Sequence, residues 1–459
     1  MIGQRIRTHL DRSSSDDRQL DVRVDRVGRR AFLRSIAASG VALNAPVRVS
    51  GESRQLLSRD AAIAGLVWGG PIGDALGGPT EFQEGPQIDA VLPNLRQWGA
   101  TRRMTSDDRA RLAFTLQMRS YAGLRLEAEP YGPWKAGGPA GTVTDDTRHK
   151  IVLMRTLREA EKTQRYPVTA ADLARQYVQF TPHEDRPVEG ILAALCEEGF
   201  REYRYAARWL LGERNPRWAR PVARLWSGVP NCSGQMLLLP LAAAFPGQPD
   251  AAYRAAYALD FVDGPMARDM AASLVAALSS VLADDTLALP TEQRWRILLE
   301  TLRTTDPWGY ADVPFAGRPW LKWLEFAERT AEQADGRPGE LYMRLERDGQ
   351  PEFWWDAHFT LLVPLAMLRF CQFEPLAALH VTLDFRHDSD SYAQVLAALA
   401  GAVHGIDLFP SEMRLAVAQQ MQNDFGEDLD QWCAVLAAAA AHHTTAPPLI
   451  ELTPSSNED

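Results

Sequence analysis

The chain has 459 residues, 46% hydrophobic and 24% charged, an ordinary globular composition with ample length for a large core. Its net charge of −10 is uneven: residues 1–50 hold ten Arg and five Asp, about +5, which leaves about −15 on the rest. An acidic body argues against a nucleic-acid partner. No apolar run approaches the ~20 residues that span a bilayer. Four cysteines (Cys196, Cys232, Cys371 and Cys433) are scattered without a Cys-x-x-Cys pair, which excludes a zinc pattern. They read as small buried apolar residues, with one disulfide open if the protein is exported.

Residues 1–28 are rich in Arg, Asp and Ser and are expected to be disordered. Gly28-Arg29-Arg30-Ala31-Phe32-Leu33-Arg34 resembles a twin-arginine export signal, followed by a weakly apolar stretch from Ile36 to Leu43. Leu43-Asn44-Ala45 offers a small-residue cleavage point, although Pro46 follows it. On this reading residues 1–50 are a disordered address, and the protein is periplasmic or secreted. Without a working signal it is cytoplasmic.

The folded body is expected over residues 58–443, with a flexible tail at 444–459. Ser58 can cap a helix through Ile63 and Leu66. Eight glycines and prolines between residues 65 and 79 then mark close backbone approach or tight turns, so the helix is expected to break at Gly69-Gly70-Pro71. Glu81 ends this stretch, a place for a mobile acid or base. Thr105 to Arg109 opens a predicted helix over 107–121. A further helix is predicted over 148–163, with Ile151, Val152, Met154 and Leu157 on one side. Thr169 caps the next. Helical spacing then continues through Pro187–Glu198, Glu202–Leu211 and later segments to 428–442. Apolar/polar alternation over strand length is scarce, which makes the body one large all-α domain.

Two acidic helix starts stand out. Thr144-Asp145-Asp146-Thr147 precedes one apolar helix, and His387-Asp388-Ser389-Asp390-Ser391 precedes another. Each stretch alone reads most simply as an N-cap, and Thr105-Ser106-Asp107-Asp108 shows how common that pattern is. Yet a cap needs one side chain, and each of these offers two acids plus hydroxyls. If the two starts meet, four carboxylates make an all-oxygen pocket for a hard divalent cation. Asp263-Gly264-Pro265 reads as a turn before a helix. Phe353-Trp354-Trp355 and Trp308-Gly309-Tyr310 read as packing, with adenine stacking as the other option. His183, His404 and His442-His443 read as structural. Phosphate-loop, serine-hydrolase and zincin patterns are absent from the sequence.

Gly73-Asp74-Ala75-Leu76-Gly77-Gly78-Pro79-Thr80-Glu81, Thr144-Asp145-Asp146-Thr147 and Arg386-His387-Asp388-Ser389-Asp390-Ser391 together resemble, in order, the three motifs of the ADP-ribosylglycohydrolase family. The resemblance spans residues 60–410. It implies an all-helical domain with a binuclear site for Mg²⁺ (Mn²⁺ as the alternative). The ligands it implies are Thr144, Asp145, Asp146, Asp388, Asp390 and Ser391. Glu81, Asp146 and Asp390 are the implied candidates for orienting the attacking water. Asn231 is a weaker match to a loop Asn of the family. Arg386 and His387 stand where the family carries two glycines, and Ser389 and Ser391 replace threonines. The resemblance implies hydrolysis of an N- or O-ribosyl bond of ADP-ribosyl type, in an ADP-ribosylated protein or a small ribosyl molecule. Two other readings stand beside it: a non-catalytic ADP-ribosyl or toxin binder with a relic metal site, and a metal-dependent hydrolase of another glycoside.

Overall fold

The computed structural model describes residues 56–83, 86–90, 92–99, 101–121, 138–165, 167–181, 200–222, 225, 230–309 and 317–445. Its α-helices begin with α1 (Arg59–Gly77), α2 (Pro86–Asp89), α3 (Ser106–Thr115), α4 (Asp145–Thr163), α5 (Ala170–Gln179) and α6 (Arg201–Leu210). There follow α7 (Ser233–Leu238), α8 (Pro249–Leu259), α9 (Pro265–Val281), α10 (Asp284–Leu287), α11 (Thr291–Thr304) and α12 (Leu321–Ala334). The last six are α13 (Pro338–Asp348), α14 (Ala357–Phe370), α15 (Pro375–Phe385), α16 (Ser389–His404), α17 (Ser411–Phe425) and α18 (Leu429–Thr445). No strand occurs among the described residues, only an isolated antiparallel bridge between Asn231 and Asp356. The all-α expectation holds. The twin-arginine stretch, Trp134, His183, the Pro187–Glu198 segment, Cys196 and the chain beyond Thr445 lie outside the described residues.

Hydroxyl side chains cap several of the helix starts. The Ser58 hydroxyl accepts from Ala61 N at 3.1 Å. Thr105 and Thr169 each form a reciprocal capping box, with Asp108 and Asp172. The Thr105–Asp108 pattern is thus a cap and nothing more. Its helix is also shorter than the spacing predicts, ending at Thr115 with Phe114 exposed.

The glycine-rich stretch corrects the sequence reading. α1 does not break at Gly69-Gly70-Pro71 but runs unbroken to Gly77, with Pro71 inside it. Gly65, Gly69, Gly73 and Gly77 recur every four residues and so line one face. That face lies directly on the backbone of α16, running the opposite way. A Cβ at Gly65 would stand 2.1 Å from Gly401 O, at Gly69 2.4 Å from Ala397 O, at Gly73 2.2 Å from Ala393 O, and at Gly77 2.4 Å from Asp390 Cα. Poor helix propensity is offset by a contact that no side chain would permit. Close backbone approach was the correct half of the expectation.

α16 is buried from Ser389 to Val403, and α9, α14 and α15 are nearly as enclosed. α4 is buried from Asp146 to Leu157 rather than along one side, so its polar residues are interior as well. Cys232 and Cys371 are buried, Cys433 is partly buried, and all three are free. Trp308 packs edge-on against Tyr253 and Tyr257, and Trp295 Nε1 donates to His404 Nε2.

Candidate metal centre

The pairing of α1 with α16 carries the C-terminal end of α1 to the N-terminal end of α16. Past Gly77 the chain makes one 3₁₀ turn, Gly78–Thr80, and delivers Glu81. Glu81 is 5% exposed, so it sits in a wall of the site and not in a loose segment. Thr80 Oγ1 and Ser389 Oγ lie 2.8 Å apart, and both reach the Gly77 carbonyl. These contacts fix the 3₁₀ turn to the start of α16.

The start of α4 is held by a residue to which the sequence reading gave no role. Asp74, buried within α1, accepts from Thr144 N at 3.0 and 3.1 Å and from Thr147 N at 2.9 Å. Thr144 Oγ1 accepts from Asp146 N at 3.3 Å. The first-turn N–H groups of Asp146 and Thr147 are therefore taken by Thr144 and Asp74. Asp145 and Asp146 are not spent as caps. At the other start, Asp388 occupies the N-cap position of α16, yet its side chain makes no capping hydrogen bond. The capping reading holds at the start of α4, where Thr144 is the cap, and fails at the start of α16.

The two starts meet. Ser391 Oγ donates to Asp146 Oδ2 at 3.3 Å across the helix pair. Glu81, Asp388 and Asp390 each place one carboxylate oxygen within 4.8 Å of the other two, and so do Asp145, Asp146 and Asp390. Asp390 is common to both groups. Oxygens bound to one small hard cation at ~2.1 Å lie roughly 3 to 4.2 Å apart, so either triad is compatible with one ion. Asp146, Asp388 and Asp390 are at most 5% exposed, and Asp145 is partly buried. Thr144 and Ser391 are buried beside them.

The electrostatics ask for positive charge. Burial pushes the Asp74 carboxyl up to about 6, and the Asp390 charge adds to it against the bonds from Thr147 and Thr144. Asp146 is raised well above the ordinary carboxylate range, first by burial, then by Asp390 and Asp74. Asp146 Oδ1 is buried with no hydrogen-bond partner. An all-oxygen donor set with a bare buried carboxylate oxygen fits a hard divalent cation and not a soft one.

Around this core lie supports that the sequence did not mark. Arg386 and His387 both adopt positive φ, +65° and +54°, a backbone that glycine takes at the least cost. The His387 carbonyl accepts from Phe82 N at 2.9 Å, tying the residue after Glu81 to the residue before Asp388. The His387 ring stacks on Trp354 with centroids 3.7 Å apart, and its Nε2 lies 2.8 Å from Glu346. Burial alone would raise Glu346, but His387 and Arg96 hold it down to about 2. Phe353 stacks on Trp355, whose edge meets Phe82. The Asn231 loop leads into α7 nearby: Cys232 Sγ is 3.8 Å from Ser391 Oγ, and Asp263 accepts from Gly234 N at 2.7 Å. Asp263 is thus a buried brace for α7 as well as a turn residue.

Two carboxylate triads that could hold a metal ion meet where two helices start, in an all-helical body. The chain belongs to the ADP-ribosylglycohydrolase family, whose model matches residues 55–447. It is accordingly a hydrolase of the glycosidase class. A solved structure of an ADP-ribosylglycohydrolase-related protein complex is similar over 84% of this chain and 98% of its own, with 19% identity and a TM-score of 0.46. The family assignment rests on the sequence match. Comparison with curated proteins gave no match.

Proposed function

We propose that the chain is a magnesium-dependent hydrolase of an N- or O-ribosyl bond of ADP-ribosyl type, acting on an ADP-ribosylated protein or a small ribosyl molecule. The observation that carries this reading is the position of Asp390, shared by a triad with Glu81 and Asp388 and a triad with Asp145 and Asp146. Glu81, Asp145, Asp146, Asp388 and Asp390, with the hydroxyls of Thr144 and Ser391, would hold two ions. When bound, Mg²⁺ supplies Lewis-acid stabilisation and a more acidic water. The chain's own residues supply orientation. Asp74 fixes the Thr144–Thr147 backbone, so Asp145 and Asp146 present their carboxylates in one direction. Glu81, at the end of the 3₁₀ turn, belongs with Asp388 to the other triad on Asp390. A ribosyl bond breaks through an oxocarbenium-like state, and a carboxylate placed to orient water and accept its proton meets that requirement. Glu81, Asp146 and Asp390 are the candidates. The aromatic wall of Phe82, Trp354 and Trp355 offers flat apolar surface for a nucleobase.

The Gly28–Arg34 stretch supports export ahead of a domain over 58–443. Tracking the chain, and an Arg29/Arg30→Lys variant, between periplasmic and cytoplasmic fractions tests this, and equal distribution refutes it. The activity itself is tested with ADP-ribosylated arginine. Release of ADP-ribose should stop with EDTA, return with Mg²⁺ and be lost in Asp146→Ala. Tight binding of ADP-ribose without turnover would instead support the non-catalytic reading.

A further inference from the structure

One stretch of the surface breaks with the acidic body. α6 turns Tyr203, Arg204, Ala206 and Ala207 inward, which leaves Tyr205, Arg208 and Trp209 partly exposed on its outer side. Beyond Leu211 the chain folds back along the helix. Arg220 N donates to the Tyr205 carbonyl at 3.0 Å, and Arg214 Nη1 donates to the Trp209 carbonyl at 2.8 Å. This return lays three guanidinium groups on rings: Arg214 over Trp209 at 4.2 Å, Arg217 over Trp218 at 4.7 Å and Arg220 over Tyr205 at 4.8 Å.

Charge and apolar area reach solvent together here. Arg214, Arg217 and Arg220 are exposed, and none of the three forms an ion pair among the described residues. Residues 208–220 hold four Arg and one Glu, about +3, on a body of about −15. Leu210, Leu211 and Trp218 are 39%, 38% and 41% exposed. A single exposed Leu or Trp is ordinary, but three beside three exposed Arg form an amphipathic patch.

We infer that this patch docks the protein on an anionic lipid surface. Arg grips headgroup phosphates through two parallel N–H donors. Trp218 suits the headgroup level, and Leu210 and Leu211 suit the boundary with the acyl chains. Ring stacking keeps each guanidinium beside an apolar face, so both meet that boundary at once. A protein partner fits less well: a stable protein interface draws on about 20–30 residues a side, whereas a few apolar anchors with clustered Arg suffice at a bilayer. The acidic remainder of the body does not prevent docking, since exposed charges more than ~8 Å away are largely screened at physiological salt.

Co-sedimentation of the full chain with lipid vesicles tests this. Binding to phosphatidylcholine vesicles containing about one third phosphatidylglycerol should be about tenfold or more tighter than to phosphatidylcholine alone, and should weaken as salt is raised. Arg214→Gln, Arg217→Gln and Arg220→Gln together should weaken it by about tenfold or more. Removing as many exposed cations from α11 and α12, as Arg296→Gln, Lys322→Gln and Arg329→Gln, should weaken it by less than about threefold. Leu210→Gln with Leu211→Gln should also cost about tenfold, and provides the test if the Arg variant does not fold. Equal binding to the two kinds of vesicle, or none to either, overturns the inference. Equal losses from the two sets of charge changes also overturn it, because net charge and not the patch would then govern binding. Binding to polyglutamate without binding to vesicles assigns the patch to an acidic protein and overturns lipid docking.

Discussion

Gly77→Ala should damage the site far more than it damages the fold. A methyl at Gly77 would stand 2.4 Å from Asp390 Cα and Ser389 O, and 2.5 Å from Asp390 N. Ordinary contacts are at ~3.5 Å or more, so the start of α16 must retreat by about 1 Å. Overpacking of this kind costs about 1–3 kcal/mol, while replacing a helical glycine returns up to about 1 kcal/mol. The net loss of stability is therefore about 0–2 kcal/mol. The retreat itself is about twice the ~0.5 Å tolerance of a ligand constellation, and a misplacement of that size costs about 100-fold in rate. Gly69→Ala is the control. It meets Ala397 O at the same 2.4 Å, but eight residues away, about 12 Å along the helix. Urea denaturation should give the two variants similar midpoint shifts, with turnover and Mn²⁺ affinity lost in Gly77→Ala and largely kept in Gly69→Ala. Equal effects of the two on metal binding would show that the Gly77 contact does not position Asp390.

Other outcomes follow from the same geometry. Arg386 sits at φ +65° and ψ −131°, a backbone that costs an L-residue about 1–2 kcal/mol, while its ion pair with Asp89 is worth about 0–1 kcal/mol. Arg386→Gly should therefore stabilise the protein by about 1 kcal/mol in urea denaturation, and a loss of stability would contradict this. Asp74 titrates near 6 in the folded chain against an ordinary 3.8, a difference worth about 3 kcal/mol. The folded state takes up the proton first, so the metal-free protein should lose this contribution as pH rises from about 4 through about 6. Asp74→Asn should flatten that part of the stability profile relative to wild type, and parallel profiles would contradict the assignment.

The helical architecture was legible because caps and small-residue packing leave local marks. Ser58, Thr105 and Thr169 each announce a helix start through a hydroxyl at the right distance from the first apolar turn. The order of three short motifs pointed to the family. What was not legible depends on contacts between distant segments. Propensity argues against a helix through Gly69-Gly70-Pro71, and only the backbone of α16, more than 300 residues later, makes it favourable. Asp74 looks like any helical Asp until Thr144 N and Thr147 N are found on it. Lys150 sits in a pattern that predicts a solvated face, yet α4 is buried all round from Asp146 to Leu157. The positive φ of Arg386 and His387 is hidden because glycine, the residue that signals it, has been replaced.

One carboxylate, Asp390, belongs to both triads and so ties the two helix starts into one proposed metal centre. Equilibrium dialysis of Mn²⁺ against wild type, Asp145→Asn and Asp390→Asn tests this. Asp145→Asn should retain the ion at Glu81–Asp388–Asp390, while Asp390→Asn should lose both. Wild-type metal content in Asp390→Asn would overturn the shared role of Asp390.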